Sequence, residues 1–169
     1  MLNVSKILEE NMEFTRFEFY YLMNLPGVKW LVNADLTDAN LSYVDLSGAI
    51  LHGANLSNAI LLHANLSGTI LHGANLSNAK LYDANLSNAN LRDADLSNAH
   101  LYQANLSNAD LALARLKGAY LWEANLQGAN LLNANLQGAD LTNAIINNEQ
   151  LPFPGFLKDA IMPDGTIHD

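Results

Sequence analysis

Leucine occupies every fifth position from Leu36 to Leu141, and Ile146 continues the series. Two residues before each leucine stands Ala, except at Val44 and Thr69. A period of five fits neither the ~3.6-residue turn of an α-helix nor the two-residue alternation of a flat strand, so the backbone must turn a corner within every unit. Two residues of each unit then point inward. Leu is large enough to fill the centre of a narrow tube, and Ala fits where the backbone approaches the axis closely. Ala54, Leu56, Ala74, Leu76 and Leu96 exemplify the predicted core.

Composition narrows the classes that remain. A chain of 169 residues, 50% hydrophobic, fits one domain. Without cysteine it has neither disulfides nor thiolate metal sites. No apolar run approaches the ~18 residues of a membrane helix, and Met1 to Asn11 lacks the apolar stretch of a signal peptide. A cytoplasmic location away from the membrane is expected. The net charge of −9 speaks against direct nucleic-acid binding, which needs clustered Lys and Arg.

The units Ala54-Asn55-Leu56-Ser57-Asn58 and Ala94-Asp95-Leu96-Ser97-Asn98 resemble the pentapeptide-repeat family, whose motif is Ala, Asp or Asn, Leu and two variable residues. The ending Met162-Pro163-Asp164-Gly165-Thr166 resembles the tails of cyanobacterial members. The resemblance implies an all-β fold, a right-handed quadrilateral parallel β-helix in which four units close one coil. Each residue then sits above the one 20 positions later.

A weaker period of ten is superimposed. One set of corners reads (Asp/Asn)-Leu-Ser-(Asn/Gly), as at 55–58, 65–68 and 75–78, and the intervening set is irregular. Asn and Gly tolerate positive φ, so the regular set predicts type II turns with Gly48, Asn58, Gly68 and Asn78 at the left-handed position. Coils stacked ~4.8 Å apart would place like charges over one another. A column such as Asp45, Asn65, Asn85, Asn105, Asn125 avoids this, because neutral amides can hydrogen-bond up the stack. Thr69 occupies an Ala position, and its hydroxyl requires a backbone carbonyl partner if buried.

An open solenoid exposes its core and strand edges, which atypical terminal segments must cover. Residues 1–33 are expected to form the first cap, with a short helix over about 3–11. The aromatic cluster that includes Phe14, Phe17 and Phe19 follows it, to plug the first coil. The repeat is expected to run over 34–148 in about six coils. Residues 149–169, interrupted by Pro152 and Pro154, form an irregular second cap with Phe153 and Phe156 as its plug.

Function must be sought on the irregular faces. One carries Leu62, Tyr82, Tyr102 and Trp122 in a column, with Lys80, His100 and Tyr120 alongside. Large rings with a polar handle suit an interface, so Leu62, Tyr82, Tyr102, Tyr120 and Trp122 are the predicted protein-contact face. Stacked rings would also reinforce the ladder between coils. The opposite face sets His52 over His72, two ligands where zinc needs three or four; His63 and His100 add no recognisable cluster. The corner serines have no neighbouring base and a filled core leaves no substrate cavity, so no enzyme, metal site or cofactor is expected.

The expected function is therefore a non-catalytic scaffold or regulator with an unidentified protein partner, expected as a monomer with a dimer left open. The alternative is a DNA mimic that binds a topoisomerase, like the family's gyrase-protecting members. Residues 34–143 carry nine acids and four bases, a net of −5. The rod would be ~26 Å long at ~4.8 Å per coil, a length over which duplex DNA bears about 15 charges. Such a mimic would be thinly charged. Those relatives also commonly carry Phe at central positions and dimerise through a carboxyl-terminal segment, whereas every central residue from 36 to 141 is Leu here.

Overall fold

A parallel bridge joins every fifth residue to the one 20 positions later, from Trp30↔Ile50 to Asn125↔Ile145. Four bridges per 20 residues make a four-sided coil, and the coils stack into a parallel β-helix. The computed structural model describes residues 30–153 and 156–169. The expected helix at 3–11 and the rings of Phe14, Phe17 and Phe19 lie outside the described residues. The sides are numbered here by their leucines: first Leu31 to Leu131, second Leu36 to Leu136, third Leu41 to Leu141, fourth Leu46 to Leu126.

The backbone geometry explains the five-residue period. On each side the Leu N–H donates to the next coil, and the residue before Leu donates to the Ala carbonyl of the preceding coil, as in Leu81 to His100 (2.7 Å) and His100 to Ala79 (2.9 Å). Each corner closes with a bond such as Ala84 N–H to the Leu81 carbonyl (3.1 Å) and has positive φ at its third residue, the signature of a type II turn. Positive φ holds at the irregular corners too. Tyr43, His63, Gln103, Leu113 and Glu123 adopt φ between 54° and 62°, so coil closure overrides their reluctance to enter the left-handed region.

Leu56, Leu76, Leu96 and Ala54 are fully buried, Ala74 nearly so, and together with their equivalents they form one continuous core. Thr69 is buried as well, and its hydroxyl donates to the Leu66 carbonyl at 2.7 Å, the partner its burial demands. The amide columns form as expected. Asn65, Asn85 and Asn105 each donate through Nδ2 to the residue one coil earlier, at 3.0, 3.3 and 3.3 Å. Each Oδ1 also accepts the N–H two residues on, as Asn85 does from Ser87 at 3.2 Å. Asp can therefore replace Asn only where it need not donate upward. Asp45 and Asp110 receive Asn65 and Asn130 from the following coil, and Asp95 receives Arg115 at 3.0 Å.

Coil structure continues past both bounds of the 34–148 repeat. Leu31 is fully buried and Trp30 bridges Ile50, so residues 30–33 already form a side of the first coil. At the other end the coil does not stop at Ile146. Leu136 and Leu141 donate to Phe156 and Ile161, each 20 residues on rather than 19, so the last turn contains one additional residue. Leu157 and Ala160 then take the buried core positions. Phe153 does not cover the core: it is 69% exposed, whereas Leu157 lies in the core cluster and Pro152 is buried. Phe156 is half-buried and acts through its carbonyl.

The chain closes its own edge. A turn at 162–165, with Gly165 at φ 84°, sends it back so that Ile167 pairs antiparallel with Ile161. His168 N–H donates to Ala160 and Asp159 N–H to His168, both at 2.8 Å. On the first side no further strand follows Asn130. The Gln150 side chain replaces it, donating through Nε2 to the Leu126 and Ala129 carbonyls, each at 2.8 Å, while its Oε1 accepts the Asn147 N–H.

Two stability predictions follow from this pattern of donors. Gln150→Ala should cost about 1–3 kcal/mol by stranding the Ala129 carbonyl and removing the second donor to Leu126, whose carbonyl keeps the Ala129 N–H, read from urea unfolding. Asn85→Asp should cost about 1 kcal/mol by removing an upward donor, whereas Asp110→Asn, which keeps its acceptor for Asn130 and Ala112, should be close to neutral in the same assay.

Candidate protein-contact face

The third side gathers most of the rings. Trp122 and Tyr120 are 48% and 50% exposed, and Leu62, Tyr82 and Tyr102 are half-buried. The outward residues stand in three parallel columns, running Lys80, His100, Tyr120, Asp140 before the leucines, then Leu62, Tyr82, Tyr102, Trp122 and finally Tyr43, His63, Asp83, Gln103, Glu123.

The rings pair in two ways. Tyr102 packs on Trp122 within its column, with centroids 5.4 Å apart and planes tilted by 57°. Tyr82 instead reaches diagonally to His100, at 5.6 Å between centroids and 2.8 Å from its hydroxyl to Nδ1. His100 in turn stacks on Tyr120 at 4.8 Å. His63 stacks on Tyr43 at 5.0 Å and lies 3.8 Å from the Asp83 carboxylate. His63 and His100, which form no cluster in the linear columns, are thus built into the aromatic face. Adding 20 to Tyr43 finds His63, but the Tyr82–His100 contact spans 18 residues and crosses columns, so no stacking rule reveals it.

Electrostatics divides the face along the axis. Burial, followed by the nearby charge of Lys80, holds His100 below its ordinary value of 6.5. A neutral ring whose Nδ1 is unprotonated accepts the Tyr82 hydroxyl. Further along, burial and then the charges of Glu123 and Asp83 push the Tyr102 phenol up. Gln103 donates to Glu123 at 2.8 Å, separating it from Asp83 in the column.

The first side is less organised. His52 stacks on His72 at 5.2 Å, and His72 and Arg92 approach Asp93 at 3.9 and 3.8 Å. At its carboxyl-terminal end a groove of about 440 Å³ lies between Leu131, Leu132 and the segment Leu151, Pro152, Phe153. Among the described residues no three His, Asp or Glu side chains gather as metal ligands, and no helix is long and apolar enough to cross a membrane.

A sequence model of pentapeptide repeats matches residues 31–53, 49–88, 79–118 and 109–148. The chain belongs to the pentapeptide-repeat family. Solved members fold as quadrilateral β-helices, and this chain is similar to several. HetL, a pentapeptide repeat protein involved in heterocyst differentiation regulation from the cyanobacterium Nostoc sp. strain PCC 7120, is 33% identical over 83% of this chain and 79% of its own, with a TM-score of 0.51. QnrB1, a plasmid-mediated fluoroquinolone resistance protein, is 22% identical over 80% of this chain and 69% of its own, with a TM-score of 0.62, a likeness of fold alone. Rfr23 of Cyanothece 51142 is 39% identical over 62% of this pentapeptide-repeat chain and 65% of its own, with a TM-score of 0.42. A search among functionally curated proteins finds no match.

The His100 environment sets a pH dependence. Its folded-state pKa lies below 6.5, so unfolding takes up a proton in the acid range. The stability it contributes is complete above pH 6.5 and declines as pH falls through the folded value. Lys80→Gln should move the His100 midpoint toward 6.5 and shrink that acid loss, read by NMR titration of the imidazole and by urea unfolding at two pH values.

Proposed function

We propose that this pentapeptide-repeat protein is a non-catalytic interaction scaffold or regulator, and that its third side, centred on Tyr102, Tyr120 and Trp122, is the surface that holds a protein partner. The observation that carries the reading is the exposure of Tyr120 and Trp122 beside the half-buried Tyr102, in adjoining coils of the stack. On the second and fourth sides the same positions are mostly Ser and Asn tied into turns, as with Ser87 bonded to Asn85. Rings on a preformed scaffold supply contact area at little conformational cost, the pattern of interface anchors. HetL, 33% identical and involved in heterocyst differentiation regulation, agrees with such a use. The modest net charge of the coils disfavours the duplex-mimic alternative.

The double substitution Tyr102→Ser, Trp122→Ser tests it. Both side chains point outward, so thermal unfolding should remain cooperative, with Tm lowered by only a few degrees for ~1 kcal/mol of lost ring contact. Partner capture from the native cytoplasm should fall at least ~10-fold, the equivalent of ~1.4 kcal/mol. Retained capture by a folded double variant would overturn the assignment of this face.

A further inference from the structure

The chemistry of the third side specifies its partner beyond the word protein. Around Tyr102 and Trp122 the surrounding charges are acidic: Asp83 and Glu123 in the adjacent column and Asp140 after Tyr120. Among the described residues of the three columns Lys80 is the only Lys or Arg, at the amino-terminal end of the face, and His100 beside it is held toward the neutral form. Exposed ring faces bordered by carboxylates attract a cation twice, through the ring quadrupole and through the ion pair. Arg is favoured over Lys because its planar guanidinium stacks on a ring while its edge pairs with a carboxylate.

Spacing narrows the choice further. Asp83 and Glu123 occupy one column two coils apart, so their backbones are separated by ~9.6 Å at ~4.8 Å per coil. A polyproline II segment has three residues per turn and rises ~3.1 Å per residue, so side chains three apart share a face at ~9.3 Å. A β-strand repeats its face every ~6.7 Å and falls out of step. We propose that the third side binds an extended segment bearing Arg-x-x-Arg in polyproline II conformation, aligned with the solenoid axis. Its guanidinium groups pair with Asp83 and Glu123 and lie against the Tyr102 and Trp122 rings. Gln103, bonded to Glu123, bridges the interval between the two carboxylates. Lys80 sets the amino-terminal limit of the basic segment by repulsion.

This inference rests on the third side being the contact face, and the test separates the two. Fluorescein-labelled peptides carrying Pro-Arg-Pro-Pro-Arg-Pro, its Lys-for-Arg counterpart and a Pro-Arg-Pro-Arg-Pro version are titrated with the full chain by anisotropy at low and high salt. The Arg-x-x-Arg peptide should bind ~10-fold tighter than either control, more weakly at high salt, and ~10-fold less well to Asp83→Asn, Glu123→Gln, since two ion pairs with stacked guanidinium groups are lost. That variant is conservative, because Asn occupies many equivalent corners and Gln retains an amide for Gln103. Lys80→Gln should strengthen binding. Equal affinity for all three peptides, or unchanged affinity in the carboxylate variant, overturns the proposal. If the carboxylate variant also captures the native partner normally while the Tyr102, Trp122 variant does not, the contact face stands and its arginine specificity is refuted. Retained capture by the aromatic variant refutes both.

Discussion

Every feature of this chain answers to one constraint, that a coil must close in 20 residues. Only then do the N–H groups of each side meet carbonyls of the neighbouring coils, as Leu81 meets His100 and His100 meets Ala79. Parallel bridges this short have no strand to propagate along, so each side is satisfied between coils and each corner by its own turn bond, as Ala84 to Leu81. The corner must therefore take positive φ wherever it falls. Asn and Gly fill most such positions, but Leu113 and Glu123 adopt the same φ because a different turn would break the register of the whole stack. Local preference yields to closure at those corners, and the surrounding coils hold the strain.

The same register governs the side chains. Identical positions stack at ~4.8 Å, which turns each column into a ladder that must be chemically compatible with itself. Asn meets this by donating upward and accepting from its own turn. Aspartate interrupts a ladder at Asp95, and Arg115 in the next coil restores the donor. Burial pushes the Asp95 carboxyl up, yet the Ser97 hydroxyl and amide together with Arg115 outweigh it and leave the group below its usual value. Aromatic residues satisfy the constraint by ring contact instead, which is why they can cluster on one side without disturbing the coil.

Much of this was legible before any coordinates. The spacing of Leu and Ala gives the core, the +20 rule gives the amide columns, and the burial of Thr69 forces its hydroxyl onto a carbonyl. Legibility fails where the rule of five is broken or crossed. The additional residue before Phe156 shifts the last turn, so Leu157 and Ala160 enter the core from a stretch that reads as an irregular tail, while Phe153 is turned outward. The diagonal contact of Tyr82 with His100 depends on side-chain reach rather than column membership, and column arithmetic cannot supply it. Leu31 lies in frame with the leucine series although Lys29 stands at its Ala position, so a missing small residue does not prevent a coil from starting.

The ends and the proposed contact face on the third side would be opposite uses of the same surface. At the carboxyl end the structure spends residues to hide what a solenoid exposes: the hairpin at 161–167 pairs the last edge, and Gln150 supplies donors where a strand is missing. Such edges would otherwise recruit other chains through backbone bonds without regard to sequence. With backbone recruitment suppressed there, selective binding has to come from side chains that the coils display at fixed spacing. The third side meets that condition, because its rings and carboxylates differ from coil to coil while the backbone beneath them repeats. A repeating scaffold thus obtains specificity only where its sequence departs from the repeat, and the departure at Tyr102, Gln103, Trp122 and Glu123 is both aromatic and acidic.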